Sequence, residues 1–106
     1  MFKRLKSSAS EWAGESFQRS YRRGDGEEWD GISAAWEIYN RDGEVVAYGE
    51  LTNSGQELEM MVPSSVTDSL SGKYLLLVWA TDQADPDYKE VIAEYVIEYR
   101  AKMGYA

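Results

Sequence analysis

The sequence predicts an all-β sandwich or barrel, and three observations carry that expectation. Turn chemistry of the Gly and Asn/Asp kind recurs at Arg23-Gly24-Asp25-Gly26, Asn40-Arg41-Asp42-Gly43 and Asn53-Ser54-Gly55, a spacing of roughly 8–12 residues that suits short antiparallel strands. The segments between these turns alternate apolar and polar residues, the period of a strand with one face in a core. Helical periodicity is scarce. Phe2, Leu5, Ala9 and Trp12 fit a helical stripe, but that segment is too short to stand alone in water.

Each element follows from its residues. Residues 1–12 read as a short basic N-terminal arm, 13–102 as the sandwich and 103–106 as a C-terminal tail. Residues 14–23, GESFQRSYRR, read as an amphipathic edge strand. In 34–40, Ala34, Trp36 and Ile38 share the inward face, opposite Glu37. In 44–51, Val45, Ala47 and Leu51 are expected inward and Glu50 outward. In 57–63, Leu58, Met60 and Val62 face the core, and Pro63 ends the strand because it has no N–H for the ladder. SSVTDSLSG, 64–72, is a connector with room for one helical turn, and Leu70 is its inward plug. In 90–100, Val91, Ala93, Tyr95, Ile97 and Tyr99 face one way and Glu90, Glu94 and Glu98 the other.

The stretch GKYLLLVWATD, Gly72 to Asp82, breaks the rule of alternation. Tyr74, Leu76, Val78 and Ala80 make one apolar face, and Leu75, Leu77 and Trp79 make a second. Burying a Leu or larger side chain stabilises by roughly 1.5–3 kcal/mol. Leaving three exposed forgoes about 5–8 kcal/mol, comparable to a domain's net stability. Something is expected to cover them: the N-terminal segment in cis, or a neighbouring subunit with the arm contributing. The subunit interface is the favoured reading, with Phe2, Leu5, Trp12, Leu75, Leu77 and Trp79 as its residues.

Composition narrows the chemistry. At 106 residues the chain makes one domain, and no apolar run approaches the ~20 residues of a membrane helix. The N-terminus lacks the apolar h-region of a signal peptide, so the protein is expected to be made or assembled in a cytoplasm. There is no Cys for a disulfide and no His, which removes Ser-His-Asp triads and nearly every zinc site. No Gly-rich loop is arranged to cradle a phosphate. Residues 1–23 carry six basic and two acidic groups, and residues 24–106 carry five basic and seventeen acidic ones. Such an acidic body does not attract nucleic acid, but its basic arm suits the acidic body of another copy.

Weaker signals have plainer readings. Carboxylate pairs of the glycosidase kind are expected by chance on so acidic a surface. Asp82, Asp85, Asp87 and Glu90 offer oxygens for Ca²⁺, but the D-x-D-x-D-G loop is missing and a solvated hairpin is expected. Arg23-Gly24-Asp25 spells an integrin-type tripeptide at a turn. Trp12, Trp29 and Trp79 are the candidates for a glycan platform, whereas Trp36 belongs in the core. No catalytic, cofactor or metal residue is expected, and the protein is not read as an enzyme.

The runs AxWxIYNRDGEVVAYGxL, LEMMVPSSVTDSLSGKYLLLV and DYKEVIAEYVIEY resemble small immunoglobulin-like β-sandwich proteins of tailed bacteriophages. The matching features are the opening Gly14-Glu15-Ser16-Phe17, the Trp36-x-Ile38 strand and the D-G hairpin. A hinge follows at Thr67, Leu70, Gly72 and Tyr74, one residue shorter than the family pattern, and then a closing strand. The resemblance spans about residues 13–100 and rests on packing and turn residues. It implies an immunoglobulin-like antiparallel sandwich of about seven strands. It also implies a non-enzymatic structural role in a virion, as a tail, baseplate, neck or other accessory component. The expected partners are other virion proteins and copies of the chain itself in a homo-oligomeric assembly, with no nucleic acid and no membrane. The alternatives are a glycan-binding or host-recognition module, a capsid decoration protein, and a small intracellular inhibitor or chaperone that uses its acidic surface as a decoy.

Overall fold

The computed structural model describes residues 4–101, and the all-β sandwich is what it contains. Five strands form one sheet: β1 (Leu5–Trp12), β8 (Asp85–Arg100), β7 (Gly72–Asp82), β3 (Ile32–Tyr39) and β4 (Val45–Glu50), in that order across it. Three form the other: β2 (Phe17–Tyr21), β6 (Leu58–Val62) and β5 (Thr52–Asn53). The chain changes sheets at Leu51, whose N–H donates to the Ala34 carbonyl at 2.9 Å. A four-residue helix, α1 (Ser64–Thr67), carries the chain from β6 to β7.

The inward faces fall where alternation placed them. Trp36, Ile38, Leu58, Met60, Val62, Leu76, Val78, Tyr95 and Ile97 are buried in a single cluster between the sheets. Trp36 lies in register with Gly49 on one side and Val78 on the other. Apart from β1, the strand order is that of an immunoglobulin-type sandwich, including its buried strand-C tryptophan. Its tyrosine corner is present too: the Tyr74 hydroxyl accepts the Ser71 N–H at 3.4 Å. Two residues on, where such domains carry a disulfide cysteine, stands the fully buried Leu76.

The hinge works through hydrogen bonds. Thr67 is completely buried, its hydroxyl donates to the Glu15 carbonyl at 2.8 Å, and it accepts from Gly14 N–H at 3.1 Å. This ties α1 to the β1–β2 turn. Leu70 closes the end of the core at 6% exposure. Gly72, at φ +93°, makes the left-handed turn that admits β7, a conformation costly to any side chain.

Four expectations need correction. Leu5–Trp12 is neither a free arm nor a helical turn; it is β1, an edge strand in parallel register with β8 from Leu5↔Ala93 to Trp12↔Arg100. The free edge of the long β8 offers a backbone ladder, and the serines of LKSSASEW hide the strand signal from a hydropathy reading. This one parallel pair also makes the sandwich not wholly antiparallel. Val45 faces outward, opposite Tyr39, because a bulge shifts the β3–β4 register beyond Ile38. Val91 leaves the face of Ala93, since a second bulge in the β7–β8 ladder takes up Ile92. Asp85-Pro86-Asp87, which the turn residues suggest as a break in the chain, instead opens β8, and Pro86 sits in a third irregularity where no ladder N–H is asked of it.

Candidate interaction face

Register alone assembles the second face of β7. Across the outer side of the five-stranded sheet, Val45 lies beside Tyr39, Tyr39 beside Leu75, Leu75 beside Val96, and Val96 beside Ser8. The next row reads Tyr48, Glu37, Leu77, Glu94, Lys6, and the one beyond it Glu50, Ala35, Trp79, Val91. The sheet is therefore crossed by an apolar belt with charged groups on either side. Leu75, Leu77 and Trp79 are half-buried by these neighbours, while Val45, Val96 and Tyr48 stand 44%, 49% and 79% exposed.

The partial covers come from the sheet itself. The Lys89 ammonium sits 5.2 Å from the centre of the Trp79 ring, a cation–π contact. The Tyr39 hydroxyl donates to Glu37 Oε1 at 2.9 Å, and burial, more than that carboxylate, raises the pKa of this phenol. The Arg4 guanidinium approaches Glu94 at 3.9 Å. A shallow basin of about 300 Å³ lies between Tyr48 and Trp79, floored by Ala35.

The six residues expected at an interface divide four ways. Leu75 lies in the belt, and Leu77 and Trp79 continue from it along β7 on the same face. Trp12 is on the same face at the far end, stacked under Arg100 with 4.0 Å from guanidinium carbon to ring centre. Leu5 turns to the opposite side of the sheet, beside Ala93, and is 49% exposed. Phe2 lies outside the described residues. β1 extends the sheet at its edge, beyond β8, so Leu5–Trp12 does not fold back over Leu77. Sequence reading missed Val45, Val96, Tyr39 and Tyr48. The first two were concealed by bulges and by the acidic residues around them. The two tyrosines carry an alternation signal only once the register of β4 is known.

The other candidate residues take these places in the fold. Trp29 is 2% exposed, and its indole N–H donates to the Tyr21 carbonyl at 3.0 Å, so it plugs the core rather than forming a platform. Trp12 and Trp79 align with Arg100 and Val91 of β8, roughly 30 Å apart along the strand at ~3.3 Å per residue. Arg23 and Asp25 bond to each other at 2.7 Å, closing the tripeptide on itself. Asp82 Oδ1 accepts the Ala84 N–H at 2.9 Å, and the Tyr88 hydroxyl donates to Glu90 Oε2 at 2.9 Å. Among the described residues no three acids converge on a metal position.

One buried group makes stability depend on pH. The Tyr99 phenol is pushed up to about 12, first by burial and second by the Glu11 carboxylate. Its unfolded value is about 10. A raised folded value means the native state favours the neutral phenol. That contribution is complete below pH ~10 and is lost as pH climbs through ~12. The hydroxyl also has no hydrogen-bond partner among the described residues. Tyr99→Phe is therefore expected to move the alkaline unfolding midpoint, followed by circular dichroism, to higher pH. A midpoint that stays put or falls would assign the alkaline transition to other groups, such as Tyr21, whose pKa burial raises further still.

Compared with known proteins, the chain matches no family model and no curated protein.

Proposed function

We propose that this chain is a non-enzymatic structural protein of a tailed-phage virion, working through protein–protein contacts in a multi-copy assembly. Its place is the tail, baseplate, neck or another accessory part, assembled in the host cytoplasm. The resemblance of residues 13–100 to small phage sandwiches supplies the setting. The observation that carries the contact role is the Val45–Tyr39–Leu75–Val96 row, an apolar belt across four strands with no layer over it among the described residues. A belt of this kind suits a flat partner surface, apolar at the centre and charged at the rim. The sequence expectation of an interface in which the arm crosses over a neighbour is narrowed accordingly: the sheet face is the contact, and β1 stays in its own sheet.

Two measurements test this reading. A mass-spectrometric inventory of purified particles should contain the chain, and its absence sinks the virion assignment. Leu77→Ser with Trp79→Ser should weaken assembly about tenfold or more, since central, desolvated apolar residues dominate contacts of this kind. The loss should persist at high salt, because apolar contact is not screened. Unfolding of the double variant would instead place these side chains in the service of the monomer's own stability. A folded variant that assembles normally would remove the face from the reading.

A further inference from the structure

Among the described residues the smaller sheet is one strand short. In a sandwich of this type four strands make up that layer; here it has three, and β2 pairs only with β6. The strand that would flank β2 is β1, which has joined β8 instead. The edges of β1 and β2 therefore face each other across an open side. A cleft of about 720 Å³ lies there, floored by Tyr21, Trp29 and Ile92 and walled by Arg4, Arg22 and Arg23. Beside it Arg19 lies over the Phe17 ring at 4.1 Å and near Tyr95 at 5.9 Å. Four guanidiniums thus gather on one side of a protein whose net charge is −8.

Arg4 and Arg22 are loosely held, whereas Arg23 is largely covered and bonded to both Asp25 and the Glu28 carbonyl. Arg22 pairs with Glu57 at 2.9 Å, Arg23 with Asp25 at 2.7 Å, and Arg4 with Glu94 at 3.9 Å. The Arg22 and Arg4 side chains are 74% and 49% exposed. Exposed pairs of this sort contribute only ~0–1 kcal/mol, so an incoming carboxylate displaces them at small cost. Arginine also binds carboxylates through paired N–H donors, which suits it to ordered recognition.

We propose that the free edge of β2 and its arginine-walled cleft form a docking site for an acidic, extended peptide segment of a partner protein, which adds to the sheet as its missing fourth strand. The backbone of the segment would complete the ladder, and alternate side chains would meet the guanidiniums. Acidic residues are selected because three guanidiniums line the slot against the one carboxylate of Asp25, with Arg19 beside it. An extended backbone is selected because the slot is a strand edge above an apolar floor. The inference does not depend on the virion assignment.

The test uses the full chain and a short fluorescein-labelled peptide alternating glutamate and valine, with capped ends. Fluorescence anisotropy should show saturable binding at low salt that weakens as salt rises. The same peptide with lysine for glutamate should not bind. Arg4→Ala with Arg22→Ala should weaken binding about tenfold or more, roughly the value of one charge-assisted bond, while Lys73→Ala, at the start of β7, changes nothing. Hydrogen exchange should slow at the amides of β2 when the peptide is present. Four results would overturn the proposal: no saturable binding, equal binding of the lysine peptide, binding without protection of β2, or self-association of the chain that the arginine changes abolish and that excludes the peptide. The first would assign the arginines to guarding an exposed edge, and the last would make a second copy the occupant.

Discussion

Replacing Trp36 with alanine is expected to cost about 3–5 kcal/mol, the usual range for deleting a large core aromatic. The side chain is 2% exposed and sits in the cluster that joins the two sheets. Its cross-strand neighbours cannot close the gap. Gly49 has no side chain to offer, and Val78 is held in its own register with Ala93. A domain of this size has roughly 5–15 kcal/mol in all, so the variant stands near the edge of folding. Trp36→Phe, which keeps most of the volume, serves as the intermediate point. Urea unfolding followed by circular dichroism reads both. A loss under about 1 kcal/mol for the alanine variant would mean that β3 faces the other way.

The inward half of the fold was legible because burial forces alternation. Trp36, Leu58, Met60 and Val62 each follow a clean period of two, and each is in the core. The hinge at Thr67, Leu70, Gly72 and Tyr74 was read through the resemblance, since those residues would serve any connector between two sheets. What escaped notice shares a cause: an edge or a bulge relaxes the periodic demand. β1 is half covered, so Ser and Lys are tolerated where a central strand would show Val or Ile. Val45 and Val91 lie beside irregularities that flip parity by one residue, and no local pattern announces such a shift. Trp29 was misjudged for another reason. It lies in a loop, and its burial depends on Asn53, whose amide donates to the Trp29 and Ile32 carbonyls at 2.8 Å each. That bond joins residues more than twenty positions apart, beyond the reach of local reading.

The candidate face was legible only at its centre. Leu75, Leu77 and Trp79 stand out because two apolar faces on one strand are unusual. The flanking Val96 and Tyr39 look like routine strand residues until the register aligns them. An interaction surface on a sheet is a property of pairing, and pairing is a tertiary fact.

Gly49→Ala is expected to destabilise, against the general trend. Glycine weakens a strand, and alanine at a compatible position usually gains about 0.4–1 kcal/mol by restricting the unfolded chain. Nothing in the backbone forbids alanine, since Gly49 is not among the residues of positive φ. The obstacle is the indole beside it. A Cβ on Gly49 would lie 2.6 Å from Trp36 Cζ2 and 2.7 Å from Cε2 and Nε1. Those are ring atoms of a buried residue, not the loose end of a flexible chain. Either the ring leaves its rotamer or β4 moves away, and overpacking of this kind costs typically about 1–3 kcal/mol. A double-mutant cycle isolates the cause. With Trp36→Leu in place the added methyl has room, so the second substitution should cost little or become favourable. The interaction energy should then be about 1 kcal/mol or more, as for residues in direct contact. Additive losses would place the damage elsewhere in β4, and a stabilised Gly49→Ala single variant would show that the indole does not lie against that backbone.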